Sequence, residues 1–241
     1  MTAELRCVTV HIDTGRWSET VLNAVDLAIP AGQITAVLGG PGSGKSMLAR
    51  ALTGQLPTTA QCSGVVLICG EIAKDQHRPR LPEQVGYVPQ DGVTAFDPDE
   101  TVGAQLHALQ DRHHAWSVER ACAAAHYPAD GLLLLPHHNS GGQIQRAALA
   151  AALLAAPGIL VADGPTNSLD TGTAYQVWKS LRDYADSGAA VLVISNEVKM
   201  MITDGFADRI VMMHEGRVLS AGPTALMLDS DPYLQALFRA S

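Results

Sequence analysis

Eight consecutive residues, Gly39-Gly40-Pro41-Gly42-Ser43-Gly44-Lys45-Ser46, carry the most specific chemistry in the chain. A loop of the spacing G-x-x-x-x-G-K-[ST] turns its backbone N–H groups inward, so that they and the start of the next helix converge on an anion. Gly39 and Gly44 allow the backbone its close approach. The Lys45 ammonium would reach the β- and γ-phosphates of a nucleotide as a point charge, and the Ser46 hydroxyl would hold Mg²⁺. Two further strings suit the same ligand. Ile159-Leu160-Val161-Ala162-Asp163 is an apolar run ending in a carboxylate, where a phosphate-loop fold takes its second Mg²⁺ contact. Asn139-Ser140-Gly141-Gly142-Gln143 places a serine and two glycines at a helix start, an anion-binding end that by itself is more often plain capping.

These residues need elements to hold them. The run Ile34-Thr35-Ala36-Val37-Leu38 reads as the strand that feeds the loop, and a helix follows it to about Thr53-Gly54. Short strands are expected at 5–12, 25–29 and 64–69, with another at 84–89 closed by Pro89 and followed by Gln90. Residues 102–109, 118–125 and 144–156 have helical composition with little β-branching. From 159 the pattern alternates again, with strands at 159–162, 190–194, 208–213 and 217–220 and a helix over 173–185. The expected fold is therefore α/β: a phosphate-loop core with a β-rich N-terminal edge and a helical insert. Residues 1–90 and 156–241 would form the nucleotide core, and 91–155 the insert.

Bulk properties narrow the partners. The 241 residues carry a formal net charge of −8, so no general basic field attracts nucleic acid or an anionic membrane. Cys7, Cys62, Cys69 and Cys122 show no C-x-x-C spacing, which fits a reducing compartment. The N-terminus lacks a basic segment followed by a long apolar core, and the most apolar stretch, 147–162, is short for a bilayer span and broken by Pro157-Gly158. Any link to a membrane is expected to run through a partner.

Taken in order, residues 39–46, Gln90, Ser140-Gly141-Gly142-Gln143, Asp163, Ser168-Leu169-Asp170 and Ile194-Ser195-Asn196 resemble the motif set of the ATP-binding cassette (ABC) ATPases. The most specific part is a phosphate loop paired with S-G-G-Q about a hundred residues later. The resemblance implies a P-loop NTPase (RecA-like) core with an antiparallel β subdomain and a helical subdomain. It also implies a head-to-tail dimer, in which each ATP with its Mg²⁺ lies between one subunit's phosphate loop and the other's S-G-G-Q. In that scheme Ser46, Gln90 and Asp163 contact Mg²⁺, Gln90 also meets the attacking water, and the Ser168-Leu169-Asp170 loop crosses the dimer seam.

Thr94-Ala95-Phe96-Asp97-Pro98, Thr101-Val102-Gly103 and Asp231-Pro232-Tyr233-Leu234-Gln235-Ala236-Leu237 look like the oligopeptide, dipeptide and nickel uptake group. That group implies two transmembrane permease subunits, a second ATPase subunit and, indirectly, an extracytoplasmic substrate-binding protein, with this chain peripheral on the cytoplasmic side of the membrane. Residues 90–106 would form the groove for the permease. No cysteine-bearing tail follows Phe238, so an iron–sulfur cluster is not expected.

The chain departs from the family pattern at the residues that act on water. Gly164 stands where the family carries a catalytic glutamate after the strand-ending aspartate, and Asn196 where it carries a switch histidine. Asn139 replaces an apolar residue before S-G-G-Q. The expectation is an ATP holder that hydrolyses poorly at its own site and pairs with a competent partner. Asp170 or a residue of the partner is the alternative source of a carboxylate. A soluble ABC protein outside transport, or a regulatory ATP-binding module, is the rival reading. The adenine platform is open among Ile12, His11 and Trp17. The histidines at 107, 113, 114, 126, 137 and 138 read as surface rather than metal ligands, Met200, Met201, Met212 and Met213 as core, and residues 74–80 as an exposed connector.

Overall fold

Alternation of buried and exposed side chains sets the first two strands. The computed structural model describes residues 2–73, 83–167 and 169–230. In it β1 (Ala3–Asp13) and β2 (Ser18–Ile29) pair antiparallel. β3 (Ile34–Gly39) leads into α1 (Lys45–Thr53), after which β4 (Ala60–Ile68) returns beside β1 and β5 (Glu71–Ile72) beside β4. β4 begins earlier than composition suggests because Ala60 to Ser63 pair with β1, and it ends where Cys69 and Gly70 turn into left-handed backbone.

β6 (Val85–Val88) precedes α2 (Val102–His113), α3 (Val118–Ala124) and α4 (Gly141–Leu153). β7 (Ile159–Asp163), α5 (Thr171–Asp186), β8 (Ala190–Ile194), β9 (Arg209–His214), β10 (Arg217–Pro223) and α6 (Thr224–Ser230) complete the described chain. Four helices begin at a side-chain cap: Thr101 for α2, Ser117 for α3, Ser140 for α4 and Asp170 for α5. These caps start α4 and α5 a few residues ahead of their apolar pattern.

The strands form two sheets, one antiparallel in the order β2-β1-β4-β5 and one in the order β10-β9-β3-β8-β7-β6. Within the second, β6, β7, β8, β3 and β9 are parallel and β10 is antiparallel to β9. β3, β7 and β8 are buried on both faces, as parallel strands covered on two sides must be. Successive residues feed different cores: Ile34, Ala36 and Leu38 face α5 and the helices of 102–153, while Val37 faces α1 and the antiparallel sheet. Met200, Met201, Met212 and Met213 are buried in these cores. The C-terminal ends of β3, β7 and β8 come side by side, the place where open parallel sheets bind ligands.

Candidate functional site

The loop after β3 is packed closely against its neighbours. A Cβ on Gly39 would lie 2.4 Å from the Met213 carbonyl oxygen and 2.6 Å from Ser43 Oγ. Gly44 takes φ +97° and stands so near β2 that a Cβ would be 2.8 Å from the Val21 carbonyl oxygen. Only glycine fits either place. A line of backbone hydrogen bonds ties the loop to both sheets: Gly216 donates to the Ser43 carbonyl at 3.1 Å, and Asn23 donates to the Gly216 carbonyl at 2.8 Å.

Gly44 caps α1 without a side-chain hydrogen bond, and the first turn of α1 holds no acidic residue. The helix's first N–H groups and positive end therefore face the loop. Lys45 Nζ donates to the carbonyls of Gly39 (2.7 Å) and Gly40 (2.8 Å) and to Ser43 Oγ (3.2 Å). Partial burial pushes the Lys45 ammonium below its ordinary pKa, opposed by the Asp163 charge. Asp163, at the end of β7, is shifted the other way: burial raises its carboxyl, while a hydrogen bond from Ser46 and the charges of Lys45 and Arg50 hold it down.

These residues border a cavity of about 630 Å³, within the range of nucleotide-sized ligands. Its wall is formed by residues 41–47 on the loop side, Val21 of β2, Gln90 after β6, Asp163, Gly164 and Asn167 after β7, and residues 194–197 at the end of β8. The donor set suits a Mg-nucleotide: a cation and a helix start for phosphates, and a hydroxyl beside a desolvated carboxylate for a divalent ion. The expected residues Pro41 to Ser46, Gln90, Asp163, Gly164 and Asn196 thus share one cavity, with Gly39 and Gly40 giving carbonyls to Lys45.

The other expected residues lie elsewhere. Ser140, Gly141, Gly142 and Gln143 do not border the cavity; they form the exposed to half-buried start of α4. Ser140 Oγ accepts from Gln143 N–H at 3.2 Å, and Gln143 Oε1 accepts from Ser140 N–H at 2.9 Å, a reciprocal cap. Asn139 is tied down by Tyr127, whose hydroxyl donates to Asn139 Oδ1 at 2.9 Å. Asp170 caps α5 through Thr173, whose N–H and hydroxyl donate at 3.0 and 2.7 Å and lower the carboxyl's pKa. Ser168, residues 74–80 and residues 231–238 lie outside the described residues. His137 and His138 are exposed, and among the described residues no three His, Cys, Asp or Glu side chains are grouped to hold a metal. His11 bonds Thr20 and Ser18, Trp17 is half-exposed, and Ile12 is buried, all outside the cavity wall.

Asn167 and Glu197 of the wall were not singled out from the sequence. Gly164 adopts φ +59°, and a Cβ there would sit 2.3 Å from Asn167 Nδ2 and 2.8 Å from Asn167 Cγ. The Asn167 amide fills the space where a side chain at 164 would begin. Glu197 is the only carboxylate besides Asp163 in the described wall, and it accepts hydrogen bonds from the Thr166 hydroxyl and from Trp178 Nε1 (2.8 Å). A spacing of three from Gly164 to Asn167 hints at a turn, but the contact of Glu197 with α5 has no local signal.

The sequence matches the model of the ABC transporter family over residues 22–167. The chain belongs to that family. ABC relatives include the metal-staphylopine import system ATP-binding protein CntD of Staphylococcus aureus, 29% identical over 87% of this chain and 82% of that protein. The oligopeptide transport ATP-binding protein OppD of Mycobacterium tuberculosis is 31% identical over 87% of this chain and 37% of its own length. The peptide transport system ATP-binding protein SapD of Escherichia coli is 27% identical over 98% and 78%. In fold, the chain resembles a dimeric ATP-binding cassette in a post-hydrolysis state bound to ADP and Pi, with a TM-score of 0.78 at 24% identity over 92% of this chain and 98% of that one. The mixed α/β architecture is that of an ABC ATPase cassette.

Proposed function

We propose that the chain is the ATP-binding subunit of a bacterial importer for peptides, nickel or metal chelates, that it holds Mg-ATP in the cavity described above, and that it hydrolyses that ATP slowly. Support for transport comes from the relatives, whose names are those of import subunits. Its partners in this reading are two permease subunits, a competent second ATPase subunit and, indirectly, an extracytoplasmic binding protein. The chain would sit on the cytoplasmic face of the membrane, attached through the permease. Among the described residues no helix is long and apolar enough to cross a membrane. Residues 1–90 and 156–241 act as the nucleotide core, and 91–155 as the helical arm that carries residues 140–143 to the partner's ATP. The Asp170 loop lies at the seam.

Lys45 and the start of α1 bind the phosphates, while Ser46, Asp163 and Gln90 orient the metal. A bound Mg²⁺ would neutralise charge developing on the transferred phosphoryl group. The observation that carries the slow-hydrolysis reading is the pairing of Gly164 with Asn167. An amide occupies the place of a side chain at 164, and a second amide, Asn196, ends β8. Amides donate and accept hydrogen bonds but neither take a proton from water nor become cationic near neutral pH. Glu197 is tied to Thr166 and Trp178. Loss of a positioned base typically costs on the order of 10²–10⁴ in rate while ground-state binding survives.

The test is phosphate release by the purified chain. The expected result is Mg-ATP binding with little turnover. Ordinary turnover without a partner, unchanged when a glutamate is placed at 164, overturns the reading.

A further inference from the structure

Gln145 lies in the second turn of α4, two residues beyond the 140–143 string, and is 3% exposed. A primary amide at that depth must find partners for its oxygen and its NH₂ group. Its Oε1 accepts from Gly92 N–H at 3.0 Å, and its Nε2 donates to the Pro89 carbonyl at 2.9 Å. The same nitrogen reaches the Gly164 carbonyl at 3.5 Å. One side chain therefore grips the backbone on both sides of Gln90-Asp91 and touches the residue that follows Asp163. The packing leaves no slack: a Cβ on Gly92 would meet the Ile144 carbonyl oxygen at 2.7 Å and the Cα and N of Gln145 at 2.9 Å.

We infer that Gln145 is a positioning residue that couples this chain's nucleotide cavity to the 140–143 helix start. Gln90 borders the cavity. A displacement of Gln90 on nucleotide binding must either carry α4 with it or break the bonds to Gln145. Breaking them leaves buried backbone polar groups unpaired, which is costly, so α4 follows. The state of one ATP site would thereby reach the segment proposed to cap the other. This inference rests on the reading of the cavity as an ATP site given under Proposed function.

Hydrogen exchange on the full chain, followed in peptides spanning 139–147, tests it beside an equilibrium ATP-binding assay. In the wild type, Mg-ATP should slow exchange of the first α4 amides by about fivefold or more. Gln145→Met keeps the shape and removes all three polar contacts; it should cut that response below about twofold while ATP affinity stays within about threefold. Gln145→Glu keeps the acceptor for Gly92, loses the donated bonds, and should show the same loss if the methionine variant does not fold. An undiminished response in a folded variant, or a wild type that binds Mg-ATP with no response at 139–147, overturns the coupling. A wild type that binds no Mg-ATP overturns the cavity reading and the coupling with it.

Discussion

The two walls of the cavity differ in kind. On the loop side, Lys45, Ser46 and Asp163 carry charge, a hydroxyl and burial that perturbs both ionisable groups in opposite directions. On the far side, Gly164, Asn167 and Asn196 offer a bare backbone and two neutral amides, and the one carboxylate, Glu197, is bonded to Thr166 and Trp178. One wall gathers a cation, a hydroxyl and a carboxylate; the other presents amides and a carboxylate whose Oε2 is taken by Thr166 and Trp178. Asp163 and Gly164 are neighbours at the end of β7, so the two kinds of wall meet at one strand end and are told apart by single side chains.

The sharpest way to break this contrast is Lys45→Ala. It should lower ATP affinity by about 100-fold or more in a direct binding assay, since a partly desolvated charge-assisted contact is lost. On the opposite wall, Gly164→Glu combined with Asn167→Ser should raise phosphate release on the order of 10²-fold. Gly164→Glu alone should gain less, because a non-glycine residue at φ +59° is strained and its Cβ meets Asn167. Equal rates for the single and double variants would refute the steric role given to Asn167.

Asp163→Asn separates function from stability. Burial raises the Asp163 pKa, so the folded chain holds its proton more tightly than the unfolded chain. Stability from this group is present at low pH and falls as pH rises from the ordinary carboxylate range through the raised value; at neutral pH the ionised group is a cost. The variant should lose Mg²⁺-dependent affinity by about tenfold, yet melt about 1–3 °C higher without nucleotide at pH 7. A lower melting point would show that Ser46, Lys45 and Arg50 outweigh the burial. The smallest effect belongs to Asn196→His, which should change phosphate release by less than about threefold while no carboxylate stands at 164.

Sequence reading served best where partners are close along the chain. The phosphate loop, the capping box of Ser140 and Gln143, and the strand ending at Asp163 are local patterns whose geometry follows from spacing. The roles of Gln145 and Glu197 are not local: one depends on α4 meeting the turn after Pro89, the other on α5 meeting the end of β8. Asn167 falls between these cases, because its neighbour Gly164 is three residues away but the steric exchange shows only in the backbone angle. Gln143 and Asp170 are visible here as caps, and a partner subunit would have to recruit them from that duty or leave it intact.

The line of backbone hydrogen bonds from Asn23 through Gly216 to Ser43 has a consequence for synthesis. β3 is flanked by β8 and β9, and the loop behind it rests on the turn between β9 and β10. A chain emerging from the ribosome has made its phosphate loop long before those supports exist. Nucleotide competence therefore arrives late, after residue 216 has been released and the last hairpin has docked, and such distant pairings close slowly. Until then the newborn chain carries the signature of an ATP site without its shape.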